Sequence, residues 1–169
     1  MVLNRQHRVR VAVKPLEEFA DRVRQALRLP RREFTVCLVS DAAIARMNRA
    51  FRGKRGPTDV LSFPANGAEM KQGDREAARQ GRRPTAEARR AQRNQNGAKG
   101  LSSTSYLGDI AISPETARRN AHRFGRSLPQ ELRILILHGA LHLIGYDHEA
   151  DHGEMNRLES RLRRRLGLS

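Results

Sequence analysis

LRILILHGALHLIGYDH, residues 132–148, is apolar at nearly every position as far as Ile144, with His138 and His142 set inside the apolar run. A helix that covers a core with one face alternates apolar and polar residues every three or four positions. This stretch does not, so it predicts a central helix buried almost all round. Its limits are also marked. Ser127 with Gln130 three residues on is a capping box at the start, and Gly145 supplies a residue able to end the helix in a left-handed turn.

Working outward, Asp151 with Glu154 reads as the capping box of a last helix, whose apolar stripe is Met155, Leu158, Leu162 and Leu166. Arg157, Arg161 and Arg163 to Arg165 are expected to face water. On the other side, Ser113-Pro114-Glu115 is a helix start with proline at the first helical position, and Ala117, Ala121 and Phe124 form its apolar face. Leu107, Ile110 and Ile112 before it read as a strand, as does Val60 to Phe63, closed by Pro64. Phe34 to Val39 is a β-branched run ending at Ser40-Asp41, an N-cap for a helix carrying Ile44, Met47 and Phe51. Nearer the start, Val9, Val11 and Val13 alternate as in a half-buried strand ended by Pro15. Leu16, Phe19, Ala20, Val23, Ala26 and Leu27 then recur at helical spacing. Strands separated by helices predict an α+β (α/β-like) single domain with a small mixed sheet of about four strands packed against helices, the histidines lying on the central helix.

A chain of 169 residues is long enough to bury one sizeable core. With 38% apolar residues, 30% charged and no Trp, some stretch must lie outside that core. Residues 66 to 105 fit: nine Lys or Arg stand against four acidic residues, a net charge of +5, with little apolar beyond Ala, Met70 and Leu101. Such a segment cannot offset its ordering entropy by burial, and is expected to be a disordered, basic insertion. The whole chain carries 33 Lys and Arg against 18 acidic residues, a formal charge of +15. That field attracts polyanions, and nucleic acid is favoured over an anionic membrane because the basic residues are spread along the chain rather than gathered on one amphipathic helix. Residues 1 to 10 contain no apolar signal core and no run of eighteen apolar residues occurs, so a soluble, cytoplasmic protein is expected. The lone Cys37 lies in an apolar run and reads as a small core residue rather than a nucleophile.

The chemistry is carried by His138, His142 and His148. The first two are four apart, so on a helix both imidazoles can reach one ion at about 2.0–2.1 Å. A turn at Gly145 brings His148 back to supply a third nitrogen. Three neutral nitrogens leave a tetrahedral zinc-like ion with an open position, the arrangement of a catalytic centre, where bound water is acidified into a nucleophile. Separate histidines, each satisfied by its own hydrogen bond, are the alternative, but two such groups in an apolar helix would each cost about 1–3 kcal/mol if left unpaired. The spacing also fits the frame of zinc peptidases, in which a glutamate base follows the first histidine. Here that residue is Gly139, which argues against a peptidase. Asp147, beside His148, is a candidate base or support for a ligand ring, and otherwise a solvent-facing turn carboxylate. His152 is a possible fourth ligand, or part of the last helix's first turn; His7 and His122 are expected to be exposed.

The segment His138 to His148 resembles the H-G-x-L-H-L-x-G-Y-D-H signature of the YbeY family of endoribonucleases and ribosomal RNA maturation factors. So do Met47-Asn48, Phe51-Arg52-Gly53-Lys54 with Pro57 to Pro64, and Leu107 to Ser113, in the same order. The resemblance implies one zinc ion per chain on the three histidines, in a cleft beside the sheet. It implies cleavage of single-stranded RNA rather than DNA, maturation of the 3′ end of 16S ribosomal RNA, and contact with the small ribosomal subunit. By the same likeness Arg52 would hold substrate phosphate. A non-catalytic assembly factor that grips RNA with a structural zinc is the competing expectation. The insertion at 66 to 105 is longer and more basic than the loop the family usually carries there.

Overall fold

The computed structural model describes residues 1–29, 32–65, 105–146 and 153–168, and the statements below concern these. The expectations placed on residues 66 to 104, and those on Asp147, His148, Asp151 and His152, lie outside them. Four strands, β1 (Val2–Asn4), β2 (Arg32–Leu38), β3 (Val60–Pro64) and β4 (Ser105–Ile112), form one sheet in the order β1-β2-β4-β3. β1, β2 and β4 run parallel, and β3 pairs antiparallel with β4 at the edge. Five helices accompany them: α1 (Val13–Ala26), α2 (Asp41–Arg52), α3 (Pro114–Arg123), α4 (Leu128–Leu143) and α5 (Glu154–Leu166). The α+β class and the small mixed sheet are as expected. No described helix is long and apolar enough to cross a membrane.

Side chains alternate across the strands and sort the molecule into two unequal cores. Phe34, Val36 and Leu38 of β2 and Ile110 and Ile112 of β4 join α1, α4 and α5 in the larger one. Leu61, Ala111, Val39 and Ile44 form the smaller one with α2, and half-buried Cys37, Met47 and Phe63 pack against it. The alternation in β4 is reset by a bulge at Gly108, where Leu107 is skipped in the pairing with β2. Gly108 has φ +135°, and a Cβ there would stand 2.1 Å from the Phe63 carbonyl oxygen, so no side chain fits.

Ser40, Ser113 and Ser127 cap α2, α3 and α4, each accepting a hydrogen bond from the backbone N–H three residues on. Gly145, at φ 85°, ends α4 as expected: Tyr146 N–H donates to the Leu141 carbonyl and Gly145 N–H to that of His142.

Several local expectations are corrected. The first strand is Val2–Asn4, and Val13 already opens α1. Val9 is buried, but its partner is the side-chain amide of Gln6, which donates to the Val9 carbonyl at 2.8 Å and accepts from Val9 N–H at 2.9 Å. One buried amide thus does for a single residue what a neighbouring strand would do. Phe51 and Phe124 sit at the ends of their helices and are exposed instead of buried. α5 opens at Glu154 with Gly153 as its N-cap. Arg163 turns inward to Glu159 instead of facing water.

Candidate metal centre

α4 brings His138 and His142 together as their spacing requires. Their Nε2 atoms face each other at 3.1 Å and the rings meet at 73°. Two ring nitrogens cannot point lone pairs at each other at that distance without a proton or a cation between them. A tetrahedral ion with Zn–N bonds of about 2.0–2.1 Å would hold two nitrogens roughly 3.3 Å apart. The pair therefore fits a metal such as zinc with little movement.

The other nitrogen of His138 is also committed. Nδ1 lies 3.0 Å from Oε2 of Glu159 on α5, a carboxylate only 6% exposed. The second oxygen, Oε1, accepts from the Arg163 guanidinium one turn further along α5. Burial pushes the Glu159 carboxyl up, but the His138 hydrogen bond and the Arg163 charge outweigh it and hold it below the usual carboxylate range. Paired with the Arg163 guanidinium, the carboxylate is an acceptor, which suits an Nδ1–H on His138. In the neutral ring this leaves the Nε2 lone pair directed at His142.

Gly139 explains what the peptidase frame lacks. It faces the sheet, where a Cβ would lie 2.6 Å from Cγ2 of Ile110. The Gly139 carbonyl accepts from Ser62 Oγ at 3.1 Å, tying α4 to the edge strand β3. A glutamate here would have to enter the core instead of reaching the histidines.

His148 and Asp147 lie outside the described residues, and among the described residues no group of three His, Cys, Asp or Glu side chains is placed to hold a metal. Arg52 is the exposed last residue of α2, followed by Gly53 in the left-handed conformation. Its neighbour Phe51 meets Phe63 of β3 edge to face, with ring centroids 4.9 Å apart. Arg52 thus sits at the end of a helix that touches β3, the strand that also holds Gly139. His7 and His122 are exposed, and Cys37 is half-buried with its thiol pushed up by burial and by Asp109. Glu159 and Arg163 were not anticipated. Their signal was nevertheless present: Glu159 is four residues after Met155 and three before Leu162, so it falls within the apolar stripe of α5, and Arg163 follows at i+4.

The mixed sheet and the carboxylate-backed histidine pair define a small α+β protein that builds its candidate chemistry on a buried helix. A family model described as Endoribonuclease YbeY matches residues 1–167. The chain belongs to the YbeY family. It is 37% identical over 153 residues to the Endoribonuclease YbeY of Solibacter usitatus, covering 90% of this chain and 78% of that one. It is 38% identical over 168 residues to that of Koribacter versatilis, covering 99% and 86%. The solution structure of TM1509 from Thermotoga maritima is similar in fold, with a TM-score of 0.55 at 24% identity, covering 98% of this chain and 89% of that one.

Proposed function

We propose that this chain is a metal-dependent endoribonuclease, with one zinc ion held by His138, His142 and His148. The observation that carries the reading is the facing Nε2 pair of His138 and His142, with Nδ1 of His138 3.0 Å from the Glu159 carboxylate. Membership of a family described as endoribonucleases supplies the substrate class. Held by these histidines, a zinc ion would supply the chemistry of lowering the pKa of water toward neutrality for attack on the phosphodiester. The chain's own residues do the rest. Arg52 holds a phosphate oxygen and offsets the charge that develops on it. Asp147 serves as base or as support for a ligand ring. The formal charge of +15 draws the strand in, and the basic insertion at 66 to 105 adds phosphate contacts. The finer assignment is single-stranded RNA, at the 3′ end of 16S ribosomal RNA on the small subunit, in the cytoplasm.

Incubating the purified protein with single-stranded and duplex RNA, with and without chelator, tests this. Cleavage of the single strand alone, lost to chelator and restored by zinc, is the expected result. RNA binding with no cleavage under any metal condition would instead establish a non-catalytic assembly factor.

A further inference from the structure

We infer that Glu159, braced by Arg163, is the positioning residue that fixes the tautomer and orientation of His138 as a metal ligand, so that α5 sets the affinity of the site on α4. The inference rests on the proposed metal site. It goes further by assigning a function to a carboxylate and a guanidinium that the ligand set does not include.

The geometry separates this role from ordinary helix bracing. A Glu–Arg pair at i,i+4 on a helix surface is worth only a few tenths of a kcal/mol and needs no burial. Glu159 instead lies among Met155, Leu158 and Leu162, where an apolar side chain would pack without loss of hydration. What it obtains there is a bond to the one ring nitrogen of His138 that faces away from His142. Histidines that ligate a metal through one nitrogen commonly donate from the other to a carboxylate, which orients the ring and raises its basicity. Arg163 occupies Oε1, so Oε2 is left to the imidazole. The arrangement is directional: α5 presents the acceptor, His138 turns its Nδ1–H toward it, and Nε2 is aimed at the neighbouring ring.

The test compares Glu159→Gln, Glu159→Leu, Arg163→Met and His142→Ala with the parent protein. Zinc affinity is read by chelator competition well below each variant's melting temperature, and the Nδ1–H of His138 is followed by ¹⁵N NMR of the zinc-loaded protein. Glu159→Leu should weaken zinc binding by about 10–100-fold, the usual cost of losing such a partner, and remove the hydrogen-bonded Nδ1–H signal. Glu159→Gln keeps the shape and an acceptor but loses the charge, so it should weaken binding less. Arg163→Met should weaken it in the parent and have no further effect beside Glu159→Leu. If the Glu159 variants are less heat-stable yet bind zinc as tightly as the parent while His142→Ala does not bind it, Glu159 is only a structural brace and the inference is overturned. If His142→Ala also binds zinc like the parent, the metal site itself is wrong.

Discussion

On one face of the sheet Phe34, Val36, Leu38, Ile110 and Ile112 lie under α1 and α4, with α5 packed behind; on the other, Leu61 and Ala111 lie under α2 alone. The first face closes tightly enough that Gly139 has no room for a methyl group. The second ends in Phe51, 70% exposed at the tip of its helix. The difference follows the chemistry proposed for each side. Ligand nitrogens must be held to a few tenths of an ångström, and the His138–Glu159 bond joins two helices that a dense core keeps in register. A residue that meets a flexible polyanion needs charge and access more than fixed position, and Arg52 lies on the thinly covered side.

The largest effect that would sharpen this comparison is in the thick core. Leu141, fully buried one residue before His142, should cost about 2–5 kcal/mol when changed to alanine, as large-to-small core substitutions do. Urea denaturation measures it. Ile44, equally buried but in the smaller cluster, should cost less when similarly cut, because fewer packed atoms surround the cavity. Equal destabilisation at both sites would contradict an unequal division of the core.

Gly139→Ala comes next. Alanine is favoured over glycine in a helix by up to about 1 kcal/mol, but overpacking costs about 1–3 kcal/mol. Cγ2 of Ile110 is attached directly to a branched Cβ and cannot swing away, so net destabilisation of about 1 kcal/mol is expected. Combining it with Ile110→Ala should give less than the sum of the two changes, since the second removes the obstacle to the first.

On the thin side, α2 is tied to α3 by Asp41, whose carboxylate accepts from Ser113 Oγ, Thr116 Oγ1 and Arg119. Burial pushes this carboxyl up, but those hydrogen bonds and the Arg119 charge prevail and hold it below the usual range. A pKa lower in the folded than in the unfolded chain stabilises fully above the unfolded value, about 3.9, and the contribution is lost as pH falls through the folded one. Denaturation curves across acidic pH should therefore be less steep with pH for Asp41→Asn than for the parent. Parallel pH profiles would remove Asp41 from this role.

Much of the scaffold was legible because its signals are local. Serine caps at 40, 113 and 127, the glycine stop at 145 and the uninterrupted apolar run of α4 each act within a few residues, and the histidine spacing follows from helix geometry alone. The misreadings arose where a distant or individual partner decided the outcome. The alternation at Val9 was genuine, but Gln6 satisfied its backbone without a strand, and β1 formed from Val2–Asn4 because that segment lies beside Val36–Leu38. Glu159 is the more instructive case. A charge inside an apolar stripe has to find a partner, and the partner was a histidine 21 residues earlier in the chain.

The smallest expected effect on stability concerns the connection between β3 and β4. These strands are antiparallel neighbours paired as far as Pro64 and Gly108, and Ala65 N–H donates to the Leu107 carbonyl at 2.9 Å. The two chain ends are therefore already at hairpin distance, and a short turn in place of residues 66 to 104 can join them without disturbing either core. Loop-closure entropy rises by only about 0.6 kcal/mol for each doubling of length, so the shortened chain should be as stable as the parent or slightly more so. RNA binding is the sharper readout. If the +5 segment neutralises phosphates, its removal should lower affinity and flatten the dependence of log affinity on log salt, by about 0.7 in slope for each single-strand phosphate it had neutralised. An unchanged slope would mean that the charge needed for RNA resides on the rest of the chain, and Arg52 and its neighbours would then carry the interaction.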